Sequence, residues 1–278
     1  MARINSLNIL LTTEGKDKLA EEYGKVIENV QKACISQNIK NVDLSGDPTS
    51  GTVEAKRFAN TGSSAYGTAR AAGKGVAASA EPVTVAINTD RELINEVEDK
   101  DARLYGVDRL ISRKAAQNEK SMQRELERAF FAEAATAGTE LTTEAPGPAQ
   151  ILEDLIQAVE TVQNDFVDGV ERDMINVILT PAMYGAVRVY LDSVENNSER
   201  EAYALYHGAK VYSSVYLPEG YDAIAMADGS IAQPVLPTVA PAEKIPLSNA
   251  YAFGLFFSYG TKAVMPDLIF TLPQEASE

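Results

Sequence analysis

Tryptophan is absent from the chain, and cysteine and histidine occur once each, as Cys34 and His207. One cysteine cannot close an internal disulfide and one histidine cannot build a histidine-rich metal site, which argues against a disulfide-stapled secreted fold and against a zinc enzyme. Basic residues are scarce too: 25 Lys and Arg stand against 40 Asp and Glu in 278 residues, a net charge of -15. That balance excludes binding of a polyanion through bulk charge. Long apolar runs are also missing. The first residues, MARINSLNILLTTEGK, hold too few apolar side chains for a signal peptide. The uncharged stretch 245–261 is interrupted by Pro246, Ser248, Asn249, Gly254 and Ser258, so it does not read as a membrane span. A soluble chain made in the cytoplasm, with no membrane partner, is expected.

What is present is ordinary globular usage, 45% apolar and 23% charged. The acidity is uneven: residues 139–278 carry 20 acidic and 6 basic groups, and the first half is close to balanced. Leu19, Tyr23, Val26, Ile27, Val30, Ala33 and Cys34 recur at spacings of three and four, which predicts a first helix with Cys34 as a small buried thiol. Residues 60–80 contain four Gly and seven Ala and no Leu, Ile, Phe or Met, so this segment buries little apolar area of its own. Strand-like runs flank it, Val53 to Phe58 and Val83 to Ile87, and together they predict a long protruding hairpin. Residues 107–137 lack Gly and Pro, and Ile111, Ala115, Asn118, Met122, Leu126, Phe130 and Ala134 form a stripe at helical spacing. That predicts a rod roughly 45 Å long, bounded by Gly106 and Gly138. The second half reads as an α/β unit: a helix from Ile151 to Val162, a buried strand from Ile175 to Leu179, and a helix opening at Thr180-Pro181. Strands are expected at Lys210 to Tyr216 and Tyr221 to Ala227. Pro234, Pro237, Pro241 and Pro246 are expected to break regular structure, before β-like runs from Tyr251 to Phe257 and Lys262 to Thr271.

Reactive constellations are not found. Gly73-Lys74 is preceded by Thr68 where a phosphate loop needs glycine. No Gly-x-Ser-x-Gly elbow occurs, and His207, in Tyr206-His207-Gly208, resembles a helix end. Glu96, Glu98, Asp99 and Asp101 lack the spacing of a calcium loop and read as a solvated face with Arg91, Lys100 and Arg103. No catalytic residue, cofactor or metal is expected.

At the residue level, Thr52-Val53-Glu54-Ala55-Lys56-Arg57-Phe58, Ala65-Tyr66-Gly67-Thr68-Ala69-Arg70 and Pro82-Val83-Thr84-Val85 resemble the extended loop of major capsid proteins of tailed bacteriophages. Leu104-Tyr105-Gly106-Val107-Asp108 and Glu125-Leu126-Glu127-Arg128-Ala129-Phe130-Phe131 are similar to their spine helix. The resemblance implies an α+β, Hong Kong 97-like capsid fold. It maps the N-terminal arm to 1–45, the extended loop to 46–89, a peripheral domain with its spine helix to 90–148, an axial domain to 149–245, and a return to the peripheral domain to 246–278. It implies a non-enzymatic shell subunit forming hexamers and pentamers around double-stranded DNA, in the virion, assembled in the host cytoplasm. A portal protein is an implied partner. The helix begins a dozen residues after Met1, which leaves no room for an N-terminal scaffolding segment and leads us to expect a separate scaffolding protein.

Subunit contacts are expected at Arg57, Phe58, Tyr66 and Arg70 of the loop, with the two arginines bridging to acidic residues of neighbours. Lys74 at the loop tip, and Arg109 and Arg113 on the spine, complete the set. Some relatives cross-link through a loop lysine, but no carboxylate here can be matched to Lys74 by motif. An encapsulin-type nanocompartment shell and a soluble enzyme with a long mobile loop are the alternatives.

Overall fold

A computed structural model describes residues 7–60, 66, 80–143, 145, 147–193 and 205–274. A 3-10 turn (Leu7–Leu11) leads into helix α1 (Thr13–Ala33) and the short helix α2 (Ile35–Ile39). Strands β1 (Leu44–Ser45), β2 (Thr52–Phe58), β3 (Ala80–Ala86) and β4 (Thr89–Glu98) follow. Helix α3 (Asp99–Tyr105) is divided from the long helix α4 (Val107–Ala137) by Gly106, at φ 82°. Next come β5 (Thr139–Glu140), helix α5 (Pro148–Glu160), β6 (Ile175–Leu179), helix α6 (Pro181–Ser193), β7 (Leu205–Tyr206) and β8 (Ala209–Ser213). The chain closes with β9 (Tyr221–Ala227), β10 (Ile231–Ala232), β11 (Val235–Lys244), β12 (Ala250–Tyr259), β13 (Lys262–Ala263) and β14 (Ile269–Pro273). These group into two compact units. One takes the chain up to Asn38 with Ile87–Glu127 and Pro234–Gly260; the other takes Ile39–Ala86, Arg128–Gln233 and the chain from Thr261.

In the first unit, α1 starts where Thr12 accepts the Gly15 N–H and carries Glu14 in its first turn, both favourable at a helix N-terminus. Its apolar face, Leu19, Tyr23, Val26 and Val30, is buried. A polar seam joins α1 to α4. Lys18 Nζ meets Asp108 at 2.7 Å, Ser112 Oγ donates to Glu22 at 2.9 Å, Asn29 Nδ2 donates to Glu119 at 3.2 Å, and Gln123 Nε2 donates to the Ala33 carbonyl at 3.5 Å. Each pair is 90 residues apart, so the two helices run parallel in one register. Beneath the seam, the buried Tyr23 hydroxyl accepts from Asn118 Nδ2 at 3.0 Å and Asn95 Nδ2 at 3.3 Å. Burial pushes this phenol up to about 12, so it stays protonated.

The sheet of this unit is antiparallel in the order β11-β12-β4. Prolines 237 and 241, expected to interrupt regular structure, lie inside β11. This is the edge strand, where a missing N–H costs no ladder bond, and its register shifts between Ala240 and Glu243, around Pro241. Gly254 in central β12 pairs with Ile94, and a Cβ built there would stand 2.1 Å from the Leu93 carbonyl oxygen.

At the far end of the seam, the Glu127 side chain is 1% exposed and accepts the Ser36 N–H at 3.2 Å as well as the Ile35 N–H. It therefore caps α2 from another helix. Glu127 Oε2 and Ser36 Oγ have no hydrogen-bond partner among the described residues. Burial pushes the carboxyl up to about 7, against the pull of the two N–H groups.

The second unit holds the six-stranded sheet β5-β14-β9-β6-β8-β7. Strand β6 is buried along its whole length, as its β-branched run predicts, and it pairs in parallel with β8 through a crossover containing α6. Leu152, Leu155, Ile156 and Val159 of α5 pack on Ile175, Val177 and Leu179 of β6 and on Ala223, Ala225 and Ala227 of β9. Arg172 fastens α5 at its side, donating to Glu153 at 2.5 Å and Glu160 at 3.1 Å, bonds that hold the guanidinium well above its ordinary pKa. His207 is not at a helix end. With φ 47°, followed by Gly208 at φ 100°, it forms the two-residue turn of the β7–β8 hairpin, the backbone such turns require.

The expected run from Lys262 to Thr271 is split by a 3-10 turn at Pro266–Leu268. Its last strand, β14, pairs with β9 in the sheet of residues 139–273. Of the stretch assigned by resemblance to a return, β12 pairs with β4 and β14 with β5, both within residues 90–148, while β11, assigned to the axial part, pairs with β12. A strand follows the partner whose register its turns allow, which composition does not encode.

Gly254→Ala is expected to lower stability by roughly 2 kcal/mol, because β12 and β4 must separate to admit the methyl group; an unchanged melting curve would refute the close approach. For Glu127, the folded chain keeps a proton that the unfolded chain loses between about pH 4.5 and 7. Its stabilising contribution is complete at low pH and is lost as pH rises through 7. Glu127→Gln should therefore flatten the fall in stability between pH 5 and 8, and at pH 8 exceed the parent by up to about 3 kcal/mol. Parallel pH profiles of the two proteins would refute this account.

Candidate functional site

Strand β2 pairs antiparallel with β3 in full register from Thr52↔Ala86 to Phe58↔Ala80, and β1 adds to β2 on its other side. Val53, Ala55 and Val85 point inward and are buried. The pair is the stem of the hairpin expected from the sequence. Phe58 ends β2 at 63% exposure, and Tyr66 is 93% exposed. Arg70 and Lys74 lie outside the described residues.

Arg57 has a partner in its own chain where the sequence suggested one on a neighbour. It is only 12% exposed, bonds Asp267, and places its guanidinium 4.1 Å from the centre of the Phe166 ring. Asn164 donates to the same Asp267 oxygen, and its own Oδ1 takes the Phe166 and Val167 N–H groups at 2.8 Å. The Asn60 N–H donates to the Asp165 carbonyl at 2.8 Å, tying the chain just beyond β2 to the same turn. A hollow of about 450 Å³ opens beside this knot, lined in part by Asp43, Lys56, Phe58, Phe166 and Met265. The knot was not legible beforehand. Nothing in the sequence from Asn164 to Gly169 signals a partner at Asp267.

Arg109 and Arg113 are exposed on α4 and share a hollow of about 420 Å³ with Asp101, Tyr105, Leu110, Lys114 and Gln117. Cys34 is buried at the end of α1. Among the described residues, no group of three or more His, Cys, Asp and Glu side chains is placed to hold a metal, and no helix is long and apolar enough to cross a membrane. What the geometry offers is surface: a stem projecting apolar side chains, and a basic helix face.

Replacing Arg57 by Ala strands the Asp267 carboxylate in a partly buried site and should cost about 3 kcal/mol in chemical denaturation. Arg57→Lys keeps the charge but loses the planar stacking over Phe166, and should recover only part of that. Denaturation curves unaffected by either change would show that the knot does not hold the stem.

No protein-family model matches the chain, and no curated protein does. Solved structures do. The chain is similar to a structure from Mycobacterium phage Che8, at 17% identity and TM-score 0.57, over 80% of this chain and 84% of that one. It is similar to the capsid of the cyanophage P-SCSP1u at 13% identity and TM-score 0.60, over 86% of each chain. It is similar to a virus-like particle from Pyrococcus furiosus at 13% identity and TM-score 0.60, over 91% of this chain and 98% of that one. With the hairpin stem, the long helix α4 and the α/β sheet unit in place, the chain has the Hong Kong 97 fold of phage capsid proteins.

Proposed function

We propose that the chain is a structural subunit of an icosahedral bacteriophage head, self-assembling into hexamers and pentamers that enclose double-stranded DNA. The likeness of the fold to the cyanophage capsid over 86% of the chain carries this reading. In it the stem β2–β3 is the base of the extended loop, α4 is the spine, and most of residues 149–245 form the axial domain. The stem supports the same view physically. Phe58 at the end of the three-stranded stem and Tyr66 beyond it are exposed, and this apolar surface gains most when it is buried on another copy. Phe58, Tyr66, Arg70 and Lys74 are the proposed contact residues. The function is non-enzymatic, the location is the virion after assembly in the host cytoplasm, and a separate scaffolding protein and a portal protein are the further partners.

A second reading rests on the likeness to the Pyrococcus furiosus particle: a nanocompartment shell of the encapsulin type. Electron microscopy of the expressed protein, with scaffolding protein supplied, should show closed shells. Native particles should contain duplex DNA; protein cargo without nucleic acid would favour the nanocompartment. A protein that stays monomeric under all assembly conditions would overturn both. Phe58→Ser with Tyr66→Ser should lower the yield of shells at least tenfold while leaving the subunit's melting curve within a few degrees of the parent, and shells in normal yield would remove these two residues from the interface.

A further inference from the structure

Helix α4 is sorted by charge. Arg109, Arg113, Lys120 and Arg124 are all exposed, and their spacings of 4, 7 and 4 residues place them within about 60° of one another around the helix and along roughly 22 Å of it. Gln117 stands in the same row. The buried residues Ile111, Ala115, Met122 and Leu126 occupy the opposite side.

The acids of this stretch are taken up elsewhere, although Glu127, about five turns on from Arg109, lies in line with the row just past its end. Asp108 and Glu119 face α1 in the polar seam, Glu125 bonds Arg91 at 2.8 Å and the Tyr259 hydroxyl at 3.0 Å, and Glu127 is buried against α2. Among the described residues, none of the four cations in the row makes an ion pair. Asp101 is the one acidic side chain in the hollow beside Arg109 and Arg113, where Lys114 and Tyr105 also lie. A chain of net charge -15 thus keeps a ridge of four cations with one acid, Asp101, beside it.

We propose that this ridge is a docking face for the phosphate backbone of a nucleic-acid duplex, which rests on the reading of the chain as the shell of a DNA-containing head. Three features favour that partner. Cations of one sign in a row suit a polyanion whose charges recur every 1.7 Å or so of helix axis. No aromatic side chain lies between Arg109 and Arg124 to stack a base, as single-strand binding needs. No large apolar residue interrupts the row either, and Leu104 and Tyr105 at one end are the only exposed ones nearby, whereas protein interfaces centre on apolar anchors. Contact is to phosphates and is independent of base sequence. The net negative charge makes each contact weak, and many copies facing one enclosed duplex restore the strength.

The test uses unassembled subunits from gel filtration and a fluorescent 30-base-pair duplex, followed by anisotropy between 50 and 200 mM salt. Four phosphate contacts give a slope of log K against log salt near -3.6, so affinity should fall about 150-fold across that range. The variant R109Q/R113Q/K120Q/R124Q, with circular dichroism to confirm its fold, should bind at least 100-fold more weakly at 50 mM salt and lose most of the slope. Equal binding by parent and variant, or no binding by the parent at 50 mM salt, would overturn the proposal. So would binding of a 20-residue polyglutamate in preference to the duplex, which would assign the ridge to an acidic protein segment. Shell formation is scored separately by electron microscopy, so a parent that binds duplex but forms no shells fails the proposed function, and one that forms shells but binds no duplex fails this inference alone.

Discussion

The parallel register between α1 and α4 is the constraint on which the first unit depends. Four polar contacts, each joining residue i to residue i + 90, align two helices that are far apart in the chain. Each contact at the surface is worth little by itself. Their value lies in direction. They fix which turn of α1 lies over which turn of α4, and so they bring Tyr23 under Asn118 and Glu127 against the start of α2. A helix of apolar stripe alone could slide by a turn at modest cost; the seam and the Tyr23 bonds beneath it make every such slip leave a buried polar group unpaired.

Charge is distributed according to the same logic. The acids of α4 between Asp108 and Glu127 are consumed by α1, β4 and α2, and its outward cations are left over. Whole-chain arithmetic hides this. A net charge of -15 describes the average surface and says little about a 22 Å stretch of one helix, where the balance is reversed.

The long helix, the first helix and strand β6 were legible in the sequence because each has a strong period or a continuous apolar run, and the observed bounds of α4 and β6 coincide with those expected. The hairpin stem was legible from two short alternating runs around a Gly/Ala tract. Three things were not. His207 stands in a positive-φ turn because of hairpin geometry, which a dipeptide ending in glycine shares with many helix ends. Pro237 and Pro241 sit in a strand because that strand is an edge, and edges are a property of the sheet. Arg57 looked available for a neighbour because its partners, Phe166 and Asp267, are 109 and 210 residues away. Local pattern reports local structure; pairings across such distances depend on how the finished sheets meet their loops.

The single cysteine has a consequence of its own. Cys34 lies between Ala33, whose carbonyl takes the last contact of the seam, and Ser36, whose N–H is held by Glu127, and it has no exposed surface. An alkylating reagent reaches that sulfur only when the end of α1 lifts away from α4. The rate at which the thiol is consumed therefore counts those openings one by one, at a single position and without any label being introduced.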